Sequence, residues 1–148
     1  MREIRYKAKR YDNKQWVEGS LIVLDADSGY YFITEEFLSA STLPVRNLIY
    51  DHTHLVDPNT ICQYTGRDDK NGNKIWENDI VSAVWYSYIV PIEDITGRVV
   101  FDQGWCAYII CDESMGIKSE LNGCGAYTYE FEVLGNVFDN PELIDDEY

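Results

Sequence analysis

Apolar and polar side chains alternate along several short segments of the chain, and this alternation predicts β-strands. Residues 4–9 alternate between apolar and basic side chains and lead into Arg10, and residues 127–133 alternate between large apolar and polar side chains. A repeat of two places successive side chains on opposite faces of a strand. Both segments are therefore predicted to be half-buried strands, and the first has a basic outer face.

Other largely apolar segments between turn residues predict the remaining strands. These predicted strands cover residues 15–24, 30–33, 48–50, 54–56, 61–64, 80–90, 98–101 and 105–111. One helical turn is predicted at residues 34–38, and no amphipathic helical pattern runs for more than ten residues. The chain is therefore predicted to be mainly β, in agreement with its aromatic content of 14%.

Residues 56–81 hold the densest run of turn signals. Asn71 and Gly72 both tolerate positive φ angles, so they are predicted to form the two central positions of a tight hairpin turn. Further along the chain, Gly135 interrupts a strand pattern and predicts a β-bulge. The polar residues 112–125 are predicted to form a long loop.

The spacing of these strands predicts two β-structured parts and a tail. Residues 61–138 are predicted to form an SH3-like small β-barrel. Residues 1–60 are predicted to form an N-terminal β subdomain packed on this barrel, with residues 56–81 as the hinge. Residues 139–148 contain five acidic residues and no basic residue, which predicts an acidic tail.

The formal net charge of −14 limits the partners of the chain. Nucleic acids and anionic lipids are bound by basic surfaces, so we expect neither direct nucleic-acid binding nor membrane binding. Residues 1–14 nevertheless hold six of the twelve basic residues. We expect this basic strand to pair with the acidic remainder of the chain, and a small nucleic-acid arm is the weaker alternative. The strand could also blunt a sheet edge or meet the acidic tail of a neighbouring copy in a homo-oligomer.

The cysteines and histidines do not follow the spacing of a typical zinc site. No apolar leader follows Met1 and no apolar run is long enough to span a membrane, so we expect a cytoplasmic location with reduced thiols. The cysteines are therefore predicted to be small buried residues. A zinc site is the alternative, and its candidate ligands are Cys62, Cys106, Cys111, Cys124, His52 and His54.

Four acidic residues lie close together in the sequence, at Asp68, Asp69, Glu77 and Asp79. The simplest interpretation is a charged hairpin tip. The alternative is a cation site or general acid–base pair, which would make the chain a metal-dependent hydrolase that uses Asp68, Asp69 and Asp79. Because no histidine or second acidic motif accompanies them, we assign no catalytic residue and expect no cofactor.

Several motifs spread along the chain resemble those of the YopX family, which consists of small proteins of bacteriophages and prophages. The matching segments are IRYKA at 4–8, KQWVEG at 14–19, QYTG at 63–66, DKNG at 69–72, IWENDIV at 75–81, GRV at 97–99 and VLGNVFDNPEL at 133–143. The central segments are the most specific of these. The resemblance implies a mostly β fold with an SH3-like part and an accessory role in a phage. It supplies no catalytic residue, because no enzymatic activity is established for the family.

The departures from the family pattern lie in the same central stretch. Cys62, Arg67 and Asn78 stand where the family usually has Gly, Leu and Gly. Asn enters the left-handed region more readily than most residues with a side chain. Asn78 is therefore predicted to lie in a left-handed turn.

These observations favour a non-enzymatic protein-interaction or regulatory module. Its partner is expected to be a host or phage protein, and exposed aromatic residues are the expected points of contact. The candidate interaction residues are Trp76, Trp85, Trp105, Tyr86 and Tyr88. An acidic mimic of nucleic acid, which would occupy a host DNA-binding protein, is the alternative suggested by the net charge.

Overall fold

The computed structural model describes residues 3–25, 30–34, 53–87, 90–111, 118–121 and 128–144. Within these ranges the chain forms β-strands and two 3-10 turns, at Pro58–Thr60 and Pro141–Leu143. The strands are β1 (Tyr6–Lys9), β2 (Trp16–Asp25), β3 (Tyr30–Thr34), β4 (Thr53–Leu55), β5 (Cys62–Asp68), β6 (Lys74–Trp76), β7 (Asp79–Ser87), β8 (Val90–Asp102), β9 (Ala107–Cys111), β10 (Lys118–Glu120) and β11 (Thr128–Asn136). The predicted mainly β fold is confirmed. The helical turn predicted at 34–38 and the strand at 48–50 fall largely or wholly outside the described residues.

The chain divides into two compact units, Met1–Tyr64 and Thr65–Tyr148. In the first unit the strand order is β4-β3-β2-β1-β5, and neighbouring strands are antiparallel. Alternate residues of β1 and β2 face the core because strand side chains alternate between faces. The buried cluster of this unit consists of Ala8, Val17, Ile33 and Val56.

Val56 joins the end of β4 to the end of β1. Its N–H donates a hydrogen bond to the Tyr31 carbonyl at 3.0 Å, and an isolated antiparallel bridge pairs it with Arg10. The Tyr11 N–H donates to the Leu55 carbonyl at 3.0 Å alongside this bridge. The fully buried Val56 side chain therefore marks the place where the chain after β4 approaches the end of β1.

In the second unit a five-stranded antiparallel sheet has the order β10-β9-β8-β7-β11. β5 continues from the first unit into the second, where β6 is its neighbour. The buried cluster of the second unit comprises Ile75, Val81, Ala83, Val99, Tyr108, Ile110, Leu121 and Phe131. Its core therefore draws on the β5–β6 hairpin as well as on the five-stranded sheet.

The described strands do not close into the SH3-like barrel predicted for residues 61–138. β10 and β11 stand at opposite ends of the five-stranded order, and no pairing joins them within the described ranges. β7 to β10 follow one another as a meander, whereas β11 returns to the free side of β7. Strand spacing in the sequence predicts how many strands form, but closure depends on tilt and stagger between strands, which the spacing does not encode.

Three elements also differ from the prediction. The strand predicted at residues 105–111 begins only at Ala107, because residues 103–106 form a turn. The loop predicted at residues 112–125 contains the short strand β10, which is followed by the buried Leu121. The long apolar run at residues 80–90 is divided between β7 and the start of β8.

The hairpin turn between β5 and β6 uses one left-handed residue rather than two. Gly72 has a φ of 83°, but Asn71 is not among the described residues with positive φ, so the prediction for Asn71 is wrong. The Asp69 N–H donates to the Asn73 carbonyl at 2.8 Å, and the Gly72 N–H donates to the Asp69 carbonyl at 3.0 Å. These bonds define a three-residue loop in which the glycine takes the left-handed position.

The backbone predictions for Asn78 and Gly135, in contrast, are confirmed. Asn78 has a φ of 67°, which places it in the left-handed region as its replacement of Gly predicts. The register of β11 against β7 shifts between Val133 and Gly135, which is the predicted irregularity at Gly135.

Arg67 covers apolar surface although its side chain is charged. Its guanidinium carbon lies 4.6 Å from the ring centroid of Phe131. Its Nη1 donates a hydrogen bond to the Leu121 carbonyl at 2.6 Å. The stem and the planar head of an arginine can pack on an aromatic ring while the charge keeps a polar partner.

Gly97 sits where two adjacent strands leave no space for a side chain. A Cβ atom at this position would lie 2.5 Å from the Cys111 carbonyl oxygen and 2.7 Å from Cγ2 of Ile110. The backbone oxygen cannot move without disturbing the pairing of β8 with β9.

We expect Gly97→Ala to lower the free energy of unfolding by about 1–3 kcal/mol, the usual cost of forcing extra volume into a packed region. Gly104→Ala is the matched control, since its Cβ would meet only the Asp102 side chain, at 3.2 Å. Urea denaturation followed by tryptophan fluorescence measures both variants. Equal stability of the two variants would contradict the close approach at Gly97.

Candidate functional site

The Asp69 carboxylate holds the β5–β6 loop together and ties it to β11. Its Oδ1 accepts hydrogen bonds from the N–H groups of Asn71 at 2.9 Å and Asn73 at 2.8 Å. Its Oδ2 accepts from the Val133 N–H at 3.1 Å and from Nδ2 of Asn73 at 3.3 Å. The residue is only 8% exposed. The carboxylate therefore acts as an acceptor for backbone N–H groups that the loop would otherwise leave unsatisfied.

This arrangement lowers the pKa of the Asp69 carboxyl below its ordinary value of 3.8. Burial alone raises the pKa, because it disfavours the charged form. The hydrogen bonds from Val133, Asn73 and Asn71 favour the charged form and together outweigh burial. A carboxyl that is ionised and surrounded by donors is suited to a structural role, and it is a poor proton donor at neutral pH.

The neighbouring turn uses a second buried carboxylate in the same way. Asp79 is 1% exposed, and its Oδ2 accepts a hydrogen bond from the Trp76 N–H at 2.8 Å. Within the turn, Oδ1 of Asn78 accepts from Nε of Arg98 at 3.0 Å and from its Nη2 at 2.5 Å. The backbone of Asn78 also bonds to Val99 and Val137, at 2.8 and 3.0 Å. The motif WEND thus connects β6, β7 and the strands on either side of β7.

The acidic residues named as a candidate cation site have separate roles in the structure. Asp69 and Asp79 serve two different turns, and Asp68 is exposed at the end of β5. Across the described ranges, no group of three or more His, Cys, Asp or Glu residues is placed to hold a metal ion.

The candidate zinc ligands occupy different environments. Cys62 is buried and its thiol donates to the Thr60 carbonyl at 3.3 Å, as expected for a small buried residue. Cys106 is exposed in the turn after β8, so the prediction that it is buried is wrong. Cys111 is half-buried at the end of β9, and His54 lies in β4. His52 and Cys124 fall outside the described residues.

The candidate interaction residues separate into a buried and an exposed tryptophan. Trp76 is 4% exposed and belongs to the interior of the second unit. Trp105 is 58% exposed. Trp85 and Tyr86 lie in β7, but their side chains are outside the described part of the structure, as is all of Tyr88. Trp105 is therefore the candidate whose side chain is seen to face solvent.

The turn that carries Trp105, residues 103–106, is held by local hydrogen bonds. The Trp105 N–H donates to Oδ1 of Asp102 at 3.0 Å. Cys106 has a φ of 52°, and its thiol donates to the Gln103 carbonyl at 3.4 Å. A side chain that bonds back to nearby backbone fixes the path of a turn. The β8–β9 turn therefore presents the indole from a defined backbone rather than from a loose loop.

Phe101, at the end of β8, is a second exposed aromatic residue of this hairpin and was not among the predicted interaction residues. It is 43% exposed and stands opposite Tyr108 in the β8–β9 pairing. The two rings meet edge to face, with centroids 5.2 Å apart. Phe101 lies in an apolar run that predicts a buried strand, so only its position beside the turn at Gln103 and Gly104 could have indicated exposure. We call Phe101 and Trp105 together the aromatic tip.

We expect Asp69→Asn to lower the free energy of unfolding by about 1.5–3 kcal/mol, because it removes hydrogen bonds to a charged acceptor and turns an amide donor towards backbone N–H groups. Asp68→Asn is the matched control on an exposed neighbour, with an expected effect within about 0.5 kcal/mol. Urea denaturation at neutral pH compares them. A loss in Asp69→Asn no larger than in Asp68→Asn would contradict the role assigned to Asp69.

The stability difference between the natural protein and Asp69→Asn should also depend on pH. The pKa of Asp69 is lowered in the folded state, so its contribution is complete above the unfolded value, about 3.9, and is lost as the pH falls through the folded pKa. The difference should therefore be constant near neutral pH and shrink below about pH 4. Denaturation curves at a series of pH values measure it, and a difference that grows on acidification would refute the assignment.

The described part of the structure contains no helix long and apolar enough to cross a membrane.

Comparison with known proteins places the chain in a family. No curated protein matches the chain significantly. The sequence model described as YopX protein matches residues 5–145, which is nearly the whole chain. This match confirms the resemblance in the strand and turn motifs, and the chain belongs to the YopX family.

Proposed function

We propose that this protein is a non-enzymatic protein-interaction module and that the aromatic tip contacts its partner. The observation that carries the proposal is the 58% exposure of Trp105 on a turn whose backbone is held by Asp102. An exposed tryptophan is unfavourable in water, and tryptophan is enriched among the residues that dominate binding energy at interfaces.

The geometry of the aromatic tip supports a binding role. Phe101 is supported by the buried Tyr108, so its ring has a fixed place beside the turn. Aromatic side chains contribute about 150–250 Å² of buried surface each, at a small cost in conformational entropy. Two aromatic rings on a preformed hairpin can therefore anchor an interface without a loop having to order itself first.

The charge of the chain indicates the chemistry of the partner. At −14, the chain attracts basic surfaces and repels acidic ones at long range. The proposed partner is a host or phage protein with an apolar pocket for the tryptophan and basic residues around that pocket. Membership in the YopX family supports the proposal of a regulatory or accessory role in a phage.

The alternative functions have weaker support. The two buried carboxylates, Asp69 and Asp79, accept hydrogen bonds from backbone groups of their own turns, which favours a structural role over hydrolysis. Mimicry of nucleic acid is supported by the net charge alone. The aromatic tip is a specific geometric feature, and we therefore rank the interaction module first.

We expect Trp105→Ala to weaken partner binding roughly 30-fold, which corresponds to about 2 kcal/mol for a residue at the centre of an interface. Its fold should be preserved because the indole is exposed. Leu134→Ala on β11 is the matched control, since it removes an exposed apolar side chain of 44% exposure elsewhere in the unit.

The measurement is affinity capture from lysate of phage-infected host cells, followed by titration of the purified captured protein. A partner that binds the natural protein and Leu134→Ala alike, but binds Trp105→Ala weakly, supports the proposal. Equal binding by all three proteins would exclude the aromatic tip as the contact surface.

A further inference from the structure

The β5–β6 loop carries an asparagine and a glycine side by side on its surface. Asn71 and Gly72 are both exposed. Apart from its neighbours in the chain, a Cβ atom on Gly72 would meet no atom of the described residues within 4 Å. The side-chain amide of Asn71 therefore lies beside a backbone nitrogen that no side chain shields, because glycine has no Cβ atom.

This pair of residues can lose ammonia without a cofactor. The Gly72 nitrogen gives up its proton to water or hydroxide and attacks Cγ of Asn71, and Nδ2 leaves as ammonia while a succinimide ring closes. Water then opens the ring. Opening at the side-chain carbonyl gives aspartate, and opening at the backbone carbonyl gives isoaspartate, in which the main chain runs through the side chain. Either product adds one negative charge to the net charge of −14.

The folded loop opposes the first step of this reaction. The Gly72 N–H donates to the Asp69 carbonyl at 3.0 Å, so the proton that must leave is held in a hydrogen bond. The N–H groups of Asn71 and Asn73 donate to Oδ1 of Asp69, at 2.9 and 2.8 Å, and fix the backbone on both sides of the glycine. The attack requires the Gly72 nitrogen to turn towards Cγ of Asn71. The reaction therefore proceeds from the fraction of molecules in which the loop is open.

The isoaspartate product does not fit the same loop. It inserts an extra backbone atom into a loop that is closed by the bond from the Asp69 N–H to the Asn73 carbonyl, at 2.8 Å. This loop is also fastened to β11. The Lys70 N–H donates to the Phe131 carbonyl, and the Val133 N–H donates to Oδ2 of Asp69. A lengthened backbone displaces the groups that meet Asp69 and so weakens the attachment to β11.

We propose that Asn71 is a site of deamidation, that the loop bonds around Asp69 hold the reaction back in the folded protein, and that conversion to isoaspartate releases the loop from β11. Water is the only co-reactant. The bonds that stabilise the loop are also the bonds that keep the asparagine intact. A molecule that has reacted differs from a new one in its charge and in the attachment of β11, so the reaction is an irreversible mark of age.

The first test compares deamidation of the full-length natural protein in the folded and the unfolded state. Peptide mapping by mass spectrometry after incubation at mildly alkaline pH measures aspartate and isoaspartate at residue 71. The map separates this site from the second Asn-Gly pair, Asn122–Gly123, which lies outside the described residues. Protein unfolded in guanidinium chloride should react on the order of tenfold faster or more, because opening the loop breaks several hydrogen bonds.

Variants of Asp69 identify the group that holds the reaction back. Asp69→Ala removes both acceptor oxygens and should deamidate at Asn71 roughly three- to tenfold faster than the natural protein. Asp68→Ala is the matched control on the exposed neighbour in β5, and its rate should be unchanged. Asp69→Asn keeps the volume of the side chain and replaces Asp69→Ala if that variant does not fold. A folded Asp69 variant that reacts no faster than Asp68→Ala would refute the proposal.

The release of β11 is measured on the reacted protein. Anion exchange isolates the deamidated fraction by its added charge, and peptide mapping gives its isoaspartate content. Amide hydrogen exchange then follows the N–H groups of Lys70 and Val133, which should exchange on the order of tenfold faster in the isoaspartate form than in the natural protein. Asn71→Asp is the matched control, since it has the same charge on a backbone of normal length and should keep the natural protection.

Three further results would overturn the proposal. Equal rates in the folded and the unfolded protein would show that the loop does not hold the reaction back. An unfolded protein without product at Asn71 would show that the site does not react. Unchanged exchange at Lys70 and Val133 in the isoaspartate form would show that β11 is not released. Slow reaction in the folded protein, acceleration in Asp69→Ala and faster exchange in the isoaspartate form would together establish it.

Discussion

A buried carboxylate with backbone partners is the interaction on which the second unit depends most. Asp69 accepts hydrogen bonds from two N–H groups of its own loop and from one N–H of β11, which is 64 residues away in sequence. An unpaired buried N–H costs about as much as a lost hydrogen bond. The Asp69 side chain avoids this cost for backbone N–H groups in two segments, the β5–β6 loop and β11. Because the Lys70 N–H also donates to the Phe131 carbonyl, the loop is fastened to the strand by both side chain and backbone.

The motifs that place the chain in its family encode structure rather than chemistry. Asp69 and Gly72 of DKNG shape a loop, and Asn78 and Asp79 of IWENDIV form a turn that connects several strands. Residues in these positions are constrained by left-handed backbone, by close approach and by buried hydrogen bonds. This explains how a sequence can identify its family clearly while showing little of what the family does.

Local features of the fold could be predicted from the sequence, but their assembly could not. The left-handed turn at Asn78 and the bulge at Gly135 follow from the backbone preferences of single residues. The open five-stranded sheet depends on β11 returning to β7 across about fifty residues, and no local preference specifies such a pairing. Asn71 was predicted wrongly because a two-residue and a three-residue hairpin loop can share the dipeptide Asn-Gly.

Among the candidate contact residues, Trp76 and Trp105 are the same residue type, and only the turn geometry distinguishes the buried ring from the exposed one.

The position of Trp105 on a turn that supports itself has a consequence for how the protein can evolve. Asp102 and the pairing of β8 with β9 hold the turn without help from the indole, so replacing Trp105 leaves the buried cluster intact. Selection can therefore vary this residue under little constraint from folding, whereas Asp69, Asn78 and Gly97 are tied to the scaffold. The side chain at position 105 can therefore change, and with it the chemistry of the aromatic tip, while the same fold is inherited.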